Sequence, residues 1–193
     1  MTARTLTSTT RTSWITTLLA AGTVGLALTS CSSGPSNASA TTTPPAAPSS
    51  SSPASQVDQA KQAALTAYRG MWHDFVVAGT TSDWQSPSLG QNATGVALTN
   101  MTRSLFADHS NGLVTKGEPT FTPTVTSADP QGKPTKIVIT DCADSTHWLK
   151  YKTDGQLEND TPGGRSLINA IVEKQSDGAW KVSDYGVHGV SSC

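Results

Sequence analysis

Two adjacent His–Asp pairs, His73-Asp74 and Asp108-His109, are the residues whose types most directly suggest acid–base chemistry. A catalytic histidine needs its orienting carboxylate within hydrogen-bonding distance. Both pairs fall in segments predicted to be helical, where neighbouring side chains point about 100° apart and do not face each other. The sequence also lacks the GxSxG, HExxH, GxGxxG, Walker and EF-hand motifs. These observations favour a non-catalytic domain.

Metal binding is the second chemistry to consider. Asp141 and Asp144 flank Cys142 and carry oxygen ligands suited to a cation, but acidic residues at a strand end are usually solvated. There is no CxxC motif and no histidine at ligand spacing from a cysteine. We therefore expect neither a metal nor a cofactor.

The three cysteines indicate an exported protein. If Cys31 is used for lipid attachment, Cys142 and Cys193 are left as a pair in an oxidising compartment. We predict a disulfide between them, with two unpaired thiols as the alternative.

The assignment of Cys31 comes from the N-terminus. Arg4 and Arg11 precede a fifteen-residue apolar stretch, 14–28, which is shorter than the roughly 20 residues of a membrane-spanning helix. Leu28-Thr29-Ser30-Cys31 follows directly and resembles the bacterial lipobox, whose cysteine receives a diacylglyceryl group before cleavage on its N-terminal side. Residues 1–30 are thus predicted to be a lipoprotein signal peptide. Cys31 is predicted to carry acyl chains such as palmitate and to anchor the protein on the extracytoplasmic face of the cell membrane.

Two alternatives to this anchor remain open. Ala38-Ser39-Ala40 fits a cleavage site that would release a soluble secreted protein, although it lies ten residues beyond the apolar stretch. An uncleaved N-terminal anchor is the other alternative.

The predicted domain organisation follows from composition. Residues 32–55 consist of Ser, Thr, Pro, Ala, Gly and one Asn, and cannot bury enough apolar surface to fold. Residues 31–55 are therefore predicted to be a lipid-anchored, disordered tether, and 56–193 a single domain. From Asp58 onward 14 acidic residues face 11 basic ones, without any basic run, which argues against nucleic acid as a partner.

The domain is predicted to be α+β. Apolar residues at helical spacing predict helices over 56–79 and 93–109. Short β-type runs between turn residues predict five or six antiparallel strands after Gly112. The predicted strands are 113–116, 120–127, 136–140, 147–152, 165–174 and 180–187.

This order of elements, with Asp177-Gly178-Ala179-Trp180-Lys181-Val182 on the final strand, resembles the nuclear transport factor 2-like (SnoaL/ketosteroid-isomerase-like) superfamily. It also resembles actinobacterial lipoproteins in which such a domain follows a Ser/Thr/Pro tether. The resemblance covers residues 56–193. It implies two helices packed on a curved, cone-like antiparallel sheet. That superfamily includes isomerases, cyclases, dehydratases and domains without activity, so the fold alone does not assign a function.

The resemblance also suggests where a site would lie. Catalytic members of the superfamily place a carboxylate or a histidine inside the cone, and His73, followed by His147 and Asp141, are the candidates here. Trp72 and Trp148, together with Trp84 and Trp180, are candidates to line an apolar pocket. Aromatic residues at core spacing are more often simply core.

The sequence is therefore interpreted as a lipid-anchored cell-envelope protein whose non-catalytic domain binds a protein partner or a small apolar ligand. One alternative is an isomerase- or cyclase-type enzyme that uses His73 or an aspartate inside the cone. Another is an accessory subunit of an envelope transport assembly.

Overall fold

The computed structural model describes residues 52–159, 161 and 163–193. The predicted signal peptide, Cys31 and nearly all of the predicted tether lie outside the described residues. The described residues, which begin at Ser52, belong to one compact unit, and its buried apolar residues lie between Ala60 and Val182. Because this unit has its own hydrophobic core, we expect it to fold by itself. None of the helices described is both long and apolar enough to cross a bilayer.

In the part of the chain that the structure describes, three helices precede the strands: α1 (Pro53–Gly79), α2 (Leu89–Asn92) and α3 (Gly95–Ser110). Helix α1 begins three residues earlier than predicted, because a proline is favourable in the first turn, where its missing N–H needs no partner. Helix α3 begins at Gly95 and not at Ala93, which is extended and forms a bridge with Val182. The predicted loop before it also contains the short helix α2.

One face of α1 forms the centre of the core. Its buried apolar side chains recur at three- and four-residue intervals, as an amphipathic helix requires. These are Ala60, Ala64, Ala67, Tyr68, Met71, Trp72, Phe75 and Ala78. Ala97, Met101 and Leu105 of α3 pack into the same cluster.

The described residues contain six strands: β1 (Leu113–Lys116), β2 (Thr124–Asp129), β3 (Lys136–Asp144), β4 (Leu149–Lys152), β5 (Arg165–Lys174) and β6 (Trp180–Val187). Their antiparallel pairing confirms the predicted α+β class. The strands do not form one sheet, however. Four of them form a sheet in the order β2-β3-β5-β6, and β1 pairs with β4 in a separate two-stranded ribbon.

The four-stranded sheet buries one face against α1. Alternate residues of β3 and β5 are buried, as expected for a sheet with one covered face. The buried residues are Ile137, Ile139, Asp141 and Ala143 on β3, and Ser166, Ile168, Ala170 and Val172 on β5. Helix α1 contacts all four strands, and α3 contacts β6 and β1.

Strand β2 starts four residues later than predicted. Pro119 and Pro123 have no N–H to donate to a ladder, so Thr120 forms only an isolated bridge with Asp144. A register shift between Val125 and Ser127 then leaves Thr126 without a partner residue on β3. This irregularity is a β-bulge at the edge of the sheet.

The predicted disulfide between Cys142 and Cys193 is present, with 5.9 Å between the two Cα atoms. It attaches the segment after β6 to β3. That segment also bonds to β5, because the Ser191 N–H donates to the Arg165 carbonyl at 2.7 Å. The end of the chain is therefore held on the sheet.

Candidate functional site

Aromatic side chains from four parts of the chain meet beside the second half of α1. The Trp72 ring stacks on Phe121, with 5.3 Å between ring centroids and 26° between planes, and meets Tyr185 of β6 edge-on at 5.3 Å. Phe75, one turn after Trp72, meets Trp148 edge-on at 5.8 Å. Offset and edge-on contacts of this kind stabilise aromatic clusters.

These aromatic residues surround a cavity of about 250 Å³, which we call the tryptophan cavity. Its lining combines aromatic and aliphatic side chains with a few polar ones. The lining residues are Trp72, Phe75, Gly79, Ser104, Leu105, Asp108, Thr115, Trp148, Lys150, Tyr185 and Val187. Mostly apolar walls with a few polar groups are typical of small-molecule sites.

A second cavity of about 160 Å³ lies next to it and shares Trp72, Trp148 and Val187. Phe121, Pro119 and Ile168 are among its other lining residues. Taken singly, each cavity is smaller than the roughly 300–1,000 Å³ range of small-molecule pockets. Val187, which lines both, is 52% exposed and therefore lies at the mouth.

The β1–β4 ribbon and helix α3 supply most of the polar residues of the tryptophan cavity. Thr115 and Lys150 are directly opposite each other in the register of the ribbon, so their side chains share one face. Trp148 precedes Lys150 by two residues and also lines the cavity. Across the cavity, buried Asp108 of α3 accepts a hydrogen bond from Lys150 Nζ at 2.5 Å. This ion pair is the one salt bridge found among the described residues.

Two polar atoms of this wall have no hydrogen-bond partner among the described residues. They are Thr115 Oγ1 and Trp148 Nε1, and both are buried. Thr115 as a whole is only 7% exposed. Buried donors without a partner are uncommon in folded proteins, and each one calls for a physical explanation.

Gly79, the last residue of α1, also lies against this wall. A Cβ atom at position 79 would lie 2.3 Å from Thr115 Oγ1. The absence of a side chain at Gly79 thus lets the end of α1 approach the ribbon and close that side of the cavity.

A buried Tyr–Asp pair lies behind the aromatic cluster. The Tyr68 hydroxyl donates to Asp141 Oδ2 at 2.9 Å, and the Thr122 N–H donates to Oδ1 at 2.7 Å. Burial, and then the negative charge of Asp141, raise the pKa of Tyr68 far above its ordinary value. Neither residue lines the cavities, whereas Trp72 and Phe121 do line them and contact the Tyr68 ring.

The structure places only some of the predicted pocket residues in a cavity. Trp72 and Trp148 line both cavities. The prediction for His73 is not met, since its side chain is exposed and lines neither cavity. One helical step of about 100° from buried Trp72 turns it towards solvent. His147 is likewise exposed.

Trp84 and Trp180 lie elsewhere. Trp84 contacts Phe106 edge-on at 5.3 Å, and Trp180 lines a more polar cavity of about 480 Å³ with Lys133 and Lys174. That cavity lies at the first half of α1, where Gln59 and Ala63 also line it.

The possible cation site at Asp141 and Asp144 is not assembled. The two carboxylate oxygens of Asp141 accept hydrogen bonds from the Tyr68 hydroxyl and the Thr122 N–H. Hydrogen bonds from Thr146 lower the pKa of Asp144. No group of three or more potential metal ligands occurs among the described residues.

Sequence reasoning missed Thr115, Lys150, Asp108 and Tyr185 as cavity residues. The burial of Asp108 was the most accessible to prediction, because it follows Leu105 by three residues and so shares the inward face of α3.

No known protein family matches this chain, and no curated protein does either. Several solved structures align with part of it. The intermembrane-space region of the chloroplast protein ARC6 is 16% identical, with a TM-score of 0.38 over 59% of this chain and 92% of that one. A Catenulispora acidiphila protein in complex with S-DNPA is 14% identical, with a TM-score of 0.43 over 67% and 92%. ActVI-ORFA from Streptomyces coelicolor is 13% identical, with a TM-score of 0.39 over 68% and 95%. All of these likenesses have TM-scores below 0.5 at 13–16% identity, so they carry no argument about this chain.

Proposed function

We propose that this protein is a lipid-anchored binding protein of the cell envelope, whose domain takes up a small apolar ligand in the tryptophan cavity. The observation that carries the proposal is the cavity itself. Aromatic rings of Trp72, Phe75 and Tyr185 supply its walls, and Val187 lies exposed at its mouth. Burial of apolar ligand surface against such walls is favourable by about 25 cal/mol per Å².

The distribution of tryptophans makes this proposal directly testable. Residues 47–193, in the oxidised form, are titrated with tetralin, a bicyclic hydrocarbon, while the indole N–H signals are followed by NMR. We expect the signals of Trp72 and Trp148 to shift and those of Trp84 and Trp180 to stay, because only the first two line the cavity. Shifts of all four, or of none, would contradict the proposal.

A matched pair of variants on α3 supplies the control. Ser104 lines the cavity, whereas Ser110 is exposed at the end of the same helix. Ser104→Phe should fill the cavity and weaken tetralin binding at least tenfold. Ser110→Phe should leave binding unchanged.

An isomerase- or cyclase-type enzyme is the second candidate, and one observation favours it. Asp108 is a buried carboxylate that lines the cavity, where a general base would have to lie. Its Oδ1 atom, however, already accepts a hydrogen bond from Lys150. Turnover of an apolar carbonyl compound that is lost in Asp108→Asn, with the fold retained, would support the enzyme.

Attachment to the membrane is the other part of the proposal, and it rests on the lipobox-like sequence ending at Cys31. We expect Cys31→Ala to abolish lipid modification and membrane retention, as measured by mass spectrometry and fractionation. A native protein that begins at Thr41 without lipid would contradict the anchor and support release by cleavage after Ala40. Capture of a protein partner by crosslinking in native membranes would instead favour the role as an accessory subunit.

A further inference from the structure

We infer that the polar cavity at the first half of α1 binds a small organic anion that carries a flat aromatic group, such as an aryl phosphate. We call it the lysine cavity, after Lys133 and Lys174 in its lining. Its volume of about 480 Å³ is within the roughly 300–1,000 Å³ range of small-molecule pockets. It shares no lining residue with the tryptophan cavity, so this inference does not depend on the proposed function.

Three parts of the chain form the lysine cavity. Lys133 and Pro134 come from the turn between β2 and β3, and the Lys174 N–H at the end of β5 donates to the Thr135 carbonyl of that turn at 2.8 Å. Lys174 and Trp180 are directly opposite each other in the register of β5 and β6, so their side chains lie on the same face. Helix α1 contributes Gln56, Gln59, Ala60 and Ala63.

The charges of the lining favour an anion. Lys133 and Lys174 are its charged residues, and neither forms a salt bridge or a side-chain hydrogen bond with another described residue. The nearest acidic residues in sequence lie outside the lining: Asp177 accepts a hydrogen bond from the Ala179 N–H, and Glu173 points to the opposite face of the sheet from its neighbour Lys174. Two like charges beside one cavity repel each other, and an anion between them removes that repulsion. Hydrogen bonds from an ammonium group to a phosphate are charge-assisted, about twice as strong as neutral ones.

Trp180 gives the same cavity an aromatic surface. Its side chain is partly buried against the hydrophobic core and also lines the cavity. Aromatic rings stack on indole in offset or edge-on arrangements, so a flat group on the ligand would be held there. The amide of Gln59, which is exposed on α1, can donate a further hydrogen bond to the anion. A ligand with both an anion and a ring would use the whole lining, whereas either part alone would use half of it.

Three probes test the two parts of this ligand separately. The first, 1-naphthyl phosphate, carries both the ring and the anion, 1-naphthol carries only the ring, and inorganic phosphate is only the anion. Each is titrated into oxidised residues 47–193 while the indole N–H signals are followed by NMR. We expect 1-naphthyl phosphate to shift the Trp180 signal at a concentration at least tenfold lower than the other two probes require, before the Trp72 and Trp148 signals move. Salt screens charges, so this affinity should fall when NaCl is raised from about 0.05 to about 0.5 M.

A matched pair of substitutions tests the location of the anion. Gln59 lines the lysine cavity, whereas Gln85 is exposed in the turn that follows the opposite end of α1. Gln→Glu adds one negative charge at nearly the same shape in both places. We expect Gln59→Glu to weaken binding of 1-naphthyl phosphate at least about fivefold. Gln85→Glu should change it less than about twofold, because charges further apart than about 8 Å are screened at physiological salt.

The two lysines are tested in the same way. Lys133→Gln and Lys174→Gln should each weaken binding of 1-naphthyl phosphate about three- to tenfold. Both side chains are exposed and have no ion pair to lose, so the melting temperature should stay the same. Lys152→Gln, an exposed position on the β1–β4 ribbon, is the control and should change neither quantity.

Several results would overturn this inference. They are a Trp180 signal that 1-naphthyl phosphate does not move, equal affinity for 1-naphthol or for inorganic phosphate at that signal, and equal effects of Gln59→Glu and Gln85→Glu. Tetralin binding is reported by Trp72 and Trp148 and is unaffected by any of these outcomes. The lysine cavity and the proposed function can therefore fail separately.

Discussion

Tyr68 connects the first helix to the sheet through a hydrogen bond to a carboxylate that is 2% exposed. A buried charge is tolerated only where hydrogen bonds replace its lost hydration. Asp141 receives them from the Tyr68 hydroxyl on one oxygen and from the Thr122 N–H on the other. The pair therefore fixes the position of α1 relative to β3 and to the segment before β2.

Replacing Tyr68 by phenylalanine should show how much the hydrogen bond from Tyr68 to Asp141 contributes to stability. Asp141 Oδ2 would lose its donor in a buried environment, at a cost of about 1–3 kcal/mol in the free energy of unfolding. Urea unfolding of residues 47–193 at pH 7 measures it. Tyr151→Phe is the control, since Tyr151 is only partly buried, and should change stability by less than about 0.5 kcal/mol. Equal effects of the two substitutions would contradict the role of the pair.

The same tyrosine predicts a loss of stability at alkaline pH. Its pKa is raised in the folded protein, so the neutral form is the one that the fold stabilises. That contribution is complete below the ordinary pKa of tyrosine, about 10, and is lost as the pH rises above it towards the folded-state value. Melting temperatures between pH 8 and pH 11 should therefore fall more steeply for the wild type than for Tyr68→Phe. Parallel curves would argue against this linkage.

At the scale of elements, the contact between the end of α1 and the ribbon depends on Gly79. Alanine normally favours a helix over glycine by about 1 kcal/mol. At position 79 the added Cβ would collide with Thr115 Oγ1, so we expect Gly79→Ala to destabilise the domain by about 1–3 kcal/mol in chemical unfolding. Gly90→Ala is the matched control, because a Cβ there meets nothing within 4 Å.

A double variant isolates the cause. Thr115→Ala removes the oxygen that the new Cβ would strike, so the two substitutions together should cost less than the sum of their separate effects. If the destabilising effects of Gly79→Ala and Thr115→Ala were strictly additive, the effect at Gly79 would not come from a collision with Thr115 Oγ1.

Local sequence signals predicted the elements better than the connections between them. The bounds of β1, β5 and β6 agree with prediction because glycine-containing turns punctuate the chain near Gly112, Gly164 and Gly178. The pairing of β1 with β4 was not predicted. Residue periodicity reports which face of a strand is apolar, but it carries no information about which distant strand becomes its neighbour.

Like the fold, the cavity could be predicted only in part from the sequence. Trp72 and Trp148 were chosen as aromatic residues near the core, and the structure places both in the cavity lining. Thr115 and Lys150 are ordinary polar residues in sequence and become neighbours only through the register of the ribbon. His73 shows the limit of helical spacing, since a single step separates a buried position from an exposed one.

At the scale of the whole molecule, the disulfide is the largest single constraint on the unfolded chain. Its cysteines are 51 residues apart, for which chain entropy alone predicts a stabilisation of about 4 kcal/mol. We expect the double variant Cys142→Ser/Cys193→Ser to unfold at markedly lower urea concentration than the oxidised wild type. Dithiothreitol should shift the wild-type midpoint in the same direction and leave that of the variant unchanged. A wild-type midpoint that is insensitive to reduction would contradict the prediction.

The bulge at Thr126 affects how copies of this protein can associate through their sheet edges. Strand β2 is at the edge of the four-stranded sheet, where an intact ladder would invite a strand from another copy. The bulge interrupts this edge, and Pro123 and Pro130 immediately flank the strand without an N–H to offer. Sheet-to-sheet polymerisation is thereby discouraged, which matters most for a protein held at high density in two dimensions, as a lipid anchor would hold this one.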